Sequence, residues 1–194
     1  AILAGASGLS PEESEAELDL MVRLGLFETV WAGSPEIRFR HALLAEAIYA
    51  GLDEQLRKQS HAAIALALEA GAGPRPGASP ELFARHHELA GYFDTAIPYW
   101  KAAGQKARKM WAHHEASHHF DRALALAALD EDRARRRRAE FELLEMKSLS
   151  VAVTTGMASP TMEAIATRLE ELRQDLNEAG DIGALFQSWQ NAWL

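Results

Sequence analysis

The chain of 194 residues contains no cysteine. This absence excludes disulfide bonds, zinc sites with thiolate ligands and catalytic cysteines, and it fits a reducing, cytoplasmic environment. No apolar run approaches the roughly 20 residues that a transmembrane helix needs, so the sequence predicts no membrane segment. Basic residues are in the minority, because the formal net charge is −8. A surface that follows nucleic-acid phosphates needs a positive excess, so we expect no nucleic-acid partner.

Aromatic residues make up only 8% of the chain, whereas alanine is abundant, so the sequence predicts a mainly α-helical fold. The first helix begins at Ser10-Pro11, where a capping serine precedes a proline, and ends at Gly25. A β-hairpin is expected over residues 26–41, and residues 42–70 are again helical with a break near Gly51. This order is that of the later half of a winged helix, so we expect the chain to begin inside such a domain.

A segment rich in glycine and proline separates the two halves of the chain. It spans residues 72–79, so we predict a partial winged-helix-like module with its following helices over residues 1–71 and a second domain over residues 80–194. The second domain contains only helical patterns, which predicts antiparallel helical hairpins stacked into a superhelix. Its first helix is expected to start at residue 80, and the later ones to span residues 93–110, 111–129, 131–155, 160–179 and 182–194.

Two sets of residues in the second domain repeat one spacing, with separations of 12, 4 and 3 residues. Small residues at such positions let two helices approach closely, while the aromatic residue fills the space toward the next hairpin. The pattern resembles tetratricopeptide repeats, with the sets 20 residues apart so that one helix serves two hairpins. The predicted packing residues are Ala84, Ala96, Trp100 and Ala103 in the first set and Gly104, Ala116, Phe120 and Ala123 in the second.

Three stretches carry a resemblance to a known class of proteins. They are residues 39–49 (FRHALLAEAIY), residues 57–65 with Arg57 and HAAIA, and residues 90–100 (AGYFDTAIPYW). Together they resemble the region that follows the nucleotide-binding core in bacterial signalling ATPases of the STAND class. The closest similarity is to proteins that couple a class III adenylate/guanylate cyclase to an ATPase and a tetratricopeptide tail, with LuxR/MalT-type regulators as relatives. The resemblance implies a winged-helix remnant packed on the ATPase, followed by a superhelix that senses a ligand or partner.

The chain has no phosphate-binding loop, because no glycine is followed by lysine and the motif G-x-x-x-x-G-K-[ST] is therefore missing. We therefore expect no cofactor and no catalysis in these 194 residues, even where the parent protein is an ATPase or cyclase. The favoured hypothesis is a regulatory region that binds a protein partner, or the parent's catalytic domains, through a helical-repeat surface.

One motif suggests a different function. His114, Glu115 and His118 match H-E-x-x-H, in which two histidines bind zinc and the glutamate acts on the metal-bound water. The alternative hypothesis is therefore a zinc-dependent hydrolase. Helical-repeat packing already explains Ala116 and Phe120 on the same helix, so we do not predict a metal site there.

A third hypothesis is a transcriptional regulator whose winged helix binds DNA. The helix before the hairpin carries five acidic residues and one arginine, which gives it the wrong sign for a polyanion. An intramolecular packing module is the better interpretation of this region.

Two tryptophans close the sequence one helical turn apart. In a stacked array each repeat buries its face against the next, so Trp189 and Trp193 predict an apolar seam whose partner helix follows the chain. Such a seam would be exposed here and would allow a homodimer through residues 182–194. Both ends of the sequence are therefore expected to be cuts within a longer protein.

Overall fold

The computed structural model describes residues 8–31, 37–70 and 79–181. Within these ranges it contains eight α-helices and one two-stranded antiparallel sheet, which confirms the prediction of a mainly α fold with a single β-hairpin. None of the described helices is long and apolar enough to cross a bilayer. The elements are α1 (Pro11–Arg23), β1 (Phe27–Thr29), β2 (Ile37–Phe39), α2 (Ala42–Gly51), α3 (Glu54–Glu69), α4 (Pro80–Ala90), α5 (Phe93–Lys109), α6 (His113–Ala127), α7 (Arg133–Thr155) and α8 (Pro160–Glu178).

Helix α1 starts with a capping box. The Ser10 hydroxyl accepts a hydrogen bond from the Glu13 amide at 3.3 Å, and the Glu13 carboxylate accepts one from the Ser10 amide at 2.9 Å. These bonds satisfy two amides that have no partner inside the helix. Gly25 follows the helix with φ of +73°, a left-handed conformation that glycine adopts without strain. The start and end of α1 thus follow from local sequence chemistry.

The hairpin pairs Phe27 with Phe39 and Thr29 with Ile37. The two phenylalanine rings lie 4.3 Å apart between centroids, so the cross-strand pair holds the register. Residues 32–36, which connect the two strands of the predicted hairpin, lie outside the described residues. After the hairpin, Asp53 caps α3 by accepting a hydrogen bond from the Leu56 amide at 2.8 Å, which places the helix break just beyond Gly51.

The described chain divides into two units. The first comprises residues 8–31, 37–70 and 85–92, and the second comprises residues 79–84 and 93–181. Helix α4 is divided between the two units, with residues 80–84 in the second and residues 85–90 in the first. Side chains of α3 contact His86 and His87 of α4. Of the linker predicted at residues 72–79, only Ser79 lies within the described residues.

The second unit is a row of antiparallel helices in which α5 packs on α6, α6 on α7 and α7 on α8. Connections of three to five residues join these helices, which favours antiparallel neighbours. A further small core of Phe141, Leu172 and Leu176 joins α7 to α8. Because each helix contacts chiefly its neighbours in sequence, the packing is that of a quasi-one-dimensional array.

Candidate functional site

The residues predicted to pack the repeat lie together in the second unit. Seven of them form one buried cluster with Leu143 and Met146 of α7, namely Ala84, Ala96, Trp100, Ala103, Ala116, Phe120 and Ala123. The eighth, Gly104, faces Phe120 so closely that an added Cβ would lie 2.7 Å from Cε1 of the ring. Small side chains thus let α5 and α6 approach each other, and this contact fixes which faces of α6 remain outside the core.

The histidines of the H-E-x-x-H motif lie outside that core. His114 and His118 are both exposed on α6. Within the described ranges, the structure brings together a different group of possible metal ligands, in which one atom each of Glu81, Glu115 and His119 lie within 4.8 Å of one another. The motif therefore receives no third ligand from the described part of the chain, and the grouped residues include two that the sequence analysis did not single out.

His119 has an unusual environment for a buried imidazole. Its side chain is 3% exposed and its ring stacks on Trp100, with 5.4 Å between centroids. Nε2 lies 3.6 Å from a Glu115 carboxylate oxygen, which is beyond hydrogen-bond distance. Nδ1 is fully buried and has no hydrogen-bond partner among the described residues. A buried polar atom without a partner costs about 1–3 kcal/mol, so this ring is a candidate for a functional role.

A second histidine cluster lies in the first unit. His61 contacts the Tyr49 hydroxyl through Nε2 at 2.9 Å and the Nδ1 atom of His86 through its own Nδ1 at 2.9 Å. Only one proton fits between the two Nδ1 atoms, so the contact requires one ring to donate and the other to accept. Burial, together with the nearby charges of His61, Arg85 and His87, lowers the pKa of His86 to about 4. Burial also lowers the pKa of His61, with Arg85 adding to the effect.

Helix α2 is apolar but not buried. Eight of its ten residues are alanine, leucine, isoleucine or tyrosine, yet none of the ten is buried within the described chain. Leu43 is 79% exposed, and Ile48 and Tyr49 are exposed as well. Single exposed apolar residues are ordinary on protein surfaces, whereas a whole short apolar helix without a buried residue is typical of an interaction site.

A second exposed apolar feature lies at the turn between α5 and α6. Trp111 has φ of 59°, the only positive value among the described residues other than glycine, and its side chain is 82% exposed. Met110 beside it is also exposed. A left-handed conformation costs a residue other than glycine about 1–2 kcal/mol. Here that cost places a large aromatic side chain outside the core of the second unit, where it is available to a partner.

Helix α1 bears on the DNA-binding alternative. Glu12, Glu15, Glu17 and Asp19 are all exposed, and Arg23 is the one basic residue of the helix. A phosphate backbone near this surface would meet repulsion instead of counterion release. The geometry therefore offers no favourable surface on α1 for a nucleic acid.

The predicted seam residues Trp189 and Trp193 lie outside the described residues. Comparison with known proteins yields no family model, no curated protein and no solved structure that matches the chain. The features of the described chain that point to a function are the apolar helix α2 and exposed Trp111.

Proposed function

We propose that this chain is a non-catalytic regulatory region that binds protein partners within a larger signalling protein. The partner of the first unit is the nucleotide-binding domain of the same polypeptide, as the resemblance of residues 39–49 and 90–100 to STAND ATPases implies. The single observation that carries the proposal is helix α2, because it is apolar over nearly its whole length and buries none of its residues.

Helix α2 depends on packing for its stability. A helix of ten residues is too short to be stable by hydrogen bonding alone, so it depends on packing. Burying one large apolar side chain contributes about 1.5–3 kcal/mol, and Leu43, Ile48 and Tyr49 all have area left to bury. A partner domain that covers these side chains of α2 therefore stabilises the helix and gains affinity from the same contact.

The second unit supplies the regulatory part of the proposal. Its helices pack chiefly on sequence neighbours, so a ligand that contacts two adjacent helices favours one arrangement of the array over another. Trp111 at the α5–α6 turn is the proposed contact residue, because its ring is exposed and its backbone is held in a strained conformation. The parent switches between inactive and active states through the difference in affinity of the effector for them.

Hydrogen–deuterium exchange tests the proposed cover on α2. The amides of residues 42–51 are measured in the 194-residue chain and in the longer polypeptide that contains it. We expect at least tenfold slower exchange in the longer polypeptide, because a covered helix opens less often. Helix α8 carries mainly polar side chains on its outer face and serves as the internal control, with equal exchange in both proteins.

The variant Leu43→Glu makes this test specific. Its side chain is exposed in the chain described here, so the variant retains the helical content and stability of the 194-residue protein. In the longer polypeptide it places a charge in the proposed contact and restores fast exchange at residues 42–51. Equal exchange in the short and long proteins, or slow exchange that Leu43→Glu does not change, would refute the proposed contact.

A further inference from the structure

We propose that Glu81, Glu115 and His119 form a binding site for a divalent transition-metal ion that links α4 to α6. The site lies wholly within the second unit and is independent of the protein-binding function proposed above. It shares Glu115 with the H-E-x-x-H motif but uses neither of the motif's two histidines, which are exposed on the same helix.

The distances fit a metal ion better than a hydrogen bond. Two ligand atoms at about 2.1 Å from a tetrahedral ion are separated by about 3.4 Å. His119 Nε2 and a Glu115 oxygen are 3.6 Å apart, close to this value, and one turn of α6 holds them in place. A Glu81 oxygen completes the group within 4.8 Å. Glu81 is exposed, so its side chain has the freedom to move the remaining distance of about an ångström.

The charges around the group favour a cation. Glu81 and Glu115 bring two carboxylates close together, and within the described ranges neither forms an ion pair with lysine or arginine. Like charges at this distance repel each other, and a bound divalent ion reverses that repulsion. The carboxylates therefore gain more from a cation than carboxylates that already have basic partners.

The environment of buried His119 favours a ligand apart from the charge of the two carboxylates. The ring stacks on Trp100, Nδ1 has no hydrogen bond within the described residues, and Nε2 lies 3.6 Å from a Glu115 oxygen, beyond hydrogen-bond distance. A metal ion bound to Nε2 provides that nitrogen with a partner. The ring proton then stays on Nδ1, whose contacts do not change when the ion binds. The fixed ring means that little side-chain entropy is lost when the ion binds.

The donor set indicates the class of metal. An imidazole nitrogen with two carboxylates suits zinc, manganese or iron(II), whereas magnesium and calcium prefer sites made only of oxygen ligands. A site with three protein ligands also leaves a coordination position for water. The expected role is to connect two helices of the array, because α4 and α6 each contribute ligands.

Metal titration of chelator-treated protein tests the site, with zinc as the probe and magnesium as the comparison. We expect one zinc ion per chain and magnesium binding at least 100-fold weaker. Glu81→Gln and Glu115→Gln keep the side-chain size at exposed positions, so both fold normally and each weakens zinc binding at least tenfold. The matched control is the double variant His114→Ala/His118→Ala, which removes the exposed pair and retains full affinity.

Thermal melting provides a second measurement on the same proteins. Saturating zinc raises the melting temperature of the unmodified chain and of the control variant by several degrees, because a ligand stabilises the state that binds it. The shift is absent in Glu81→Gln. Three results would overturn the proposal: no zinc binding to the unmodified chain, binding that survives Glu81→Gln unchanged, or binding lost in the His114→Ala/His118→Ala control.

Discussion

Replacing Gly104 with alanine tests the close contact between α5 and α6. The added Cβ would lie 2.7–2.9 Å from three atoms of the Phe120 ring, closer than carbon atoms approach each other in folded proteins. Phe120 is fully buried, so its ring has no free space into which to move. Overpacking of this kind costs about 1–3 kcal/mol, and three short contacts place it at the upper end. Alanine regains about 1 kcal/mol through its better helix propensity. We expect a net loss of about 2 kcal/mol.

Urea denaturation followed by circular dichroism at 222 nm measures this loss. A double-mutant cycle with Phe120→Leu isolates its cause, because the shorter side chain leaves space for the new methyl group. In that background Gly104→Ala is expected to be neutral or stabilising by up to about 1 kcal/mol. The matched control is Gly51→Ala, where a Cβ meets no atom within 4 Å and no loss is expected. An unchanged or higher stability of Gly104→Ala, or an equal loss with Leu at position 120, would refute the reasoning.

Two further predictions concern pH and backbone strain. The pKa of His86 is about 4 in the folded chain and near 6.5 when unfolded, so the folded state favours the neutral ring. The stability of the fold that depends on the neutral ring is complete above pH 6.5 and is lost as the pH falls toward 4. Because the ring is partly exposed, we expect a loss of about 1–2 kcal/mol between pH 7 and 4, largely abolished by His86→Gln but not by the exposed control His118→Gln. Trp111→Gly removes left-handed strain and is expected to stabilise the second unit by about 1 kcal/mol in urea denaturation. A lower urea midpoint would show that the exposed ring stabilises the turn.

Local signals were sufficient to predict most helix boundaries. Ser10 and Asp53 begin helices because their side chains accept hydrogen bonds from the amides three residues later, and such caps are visible in sequence. The hairpin also follows from alternation, with Phe27 opposite Phe39. The mainly α architecture was predictable because helix propensity and capping depend on residues close to one another in sequence.

Contacts between residues far apart in sequence were not predictable in this way. His61 and His86 lie 25 residues apart, on either side of the glycine-rich segment, yet their rings are in contact. Glycine and proline residues mark where the chain turns, but they do not reveal which side chains of α3 and α4 contact each other. The exposure of α2 could not be predicted from the sequence either, because an apolar helix sequence normally indicates a buried helix.

The position of the histidines on α6 shows how the register of the core decides which ligands a helix presents. Successive residues of an α-helix are rotated by about 100°, so residues two apart lie nearly opposite each other. His114 and His118 each lie two residues from Ala116, which is buried, and both face away from the core. Around the helix axis His119 lies about 60° from Ala116, and Glu115 lies about 100° from Ala116 in the same direction. Both residues are therefore at the border between core and solvent. A border position combines a buried, fixed imidazole with an exposed carboxylate, and a neighbouring helix supplies the third ligand there. The core pattern therefore favours Glu115 with His119 over the pair that the H-E-x-x-H motif selects.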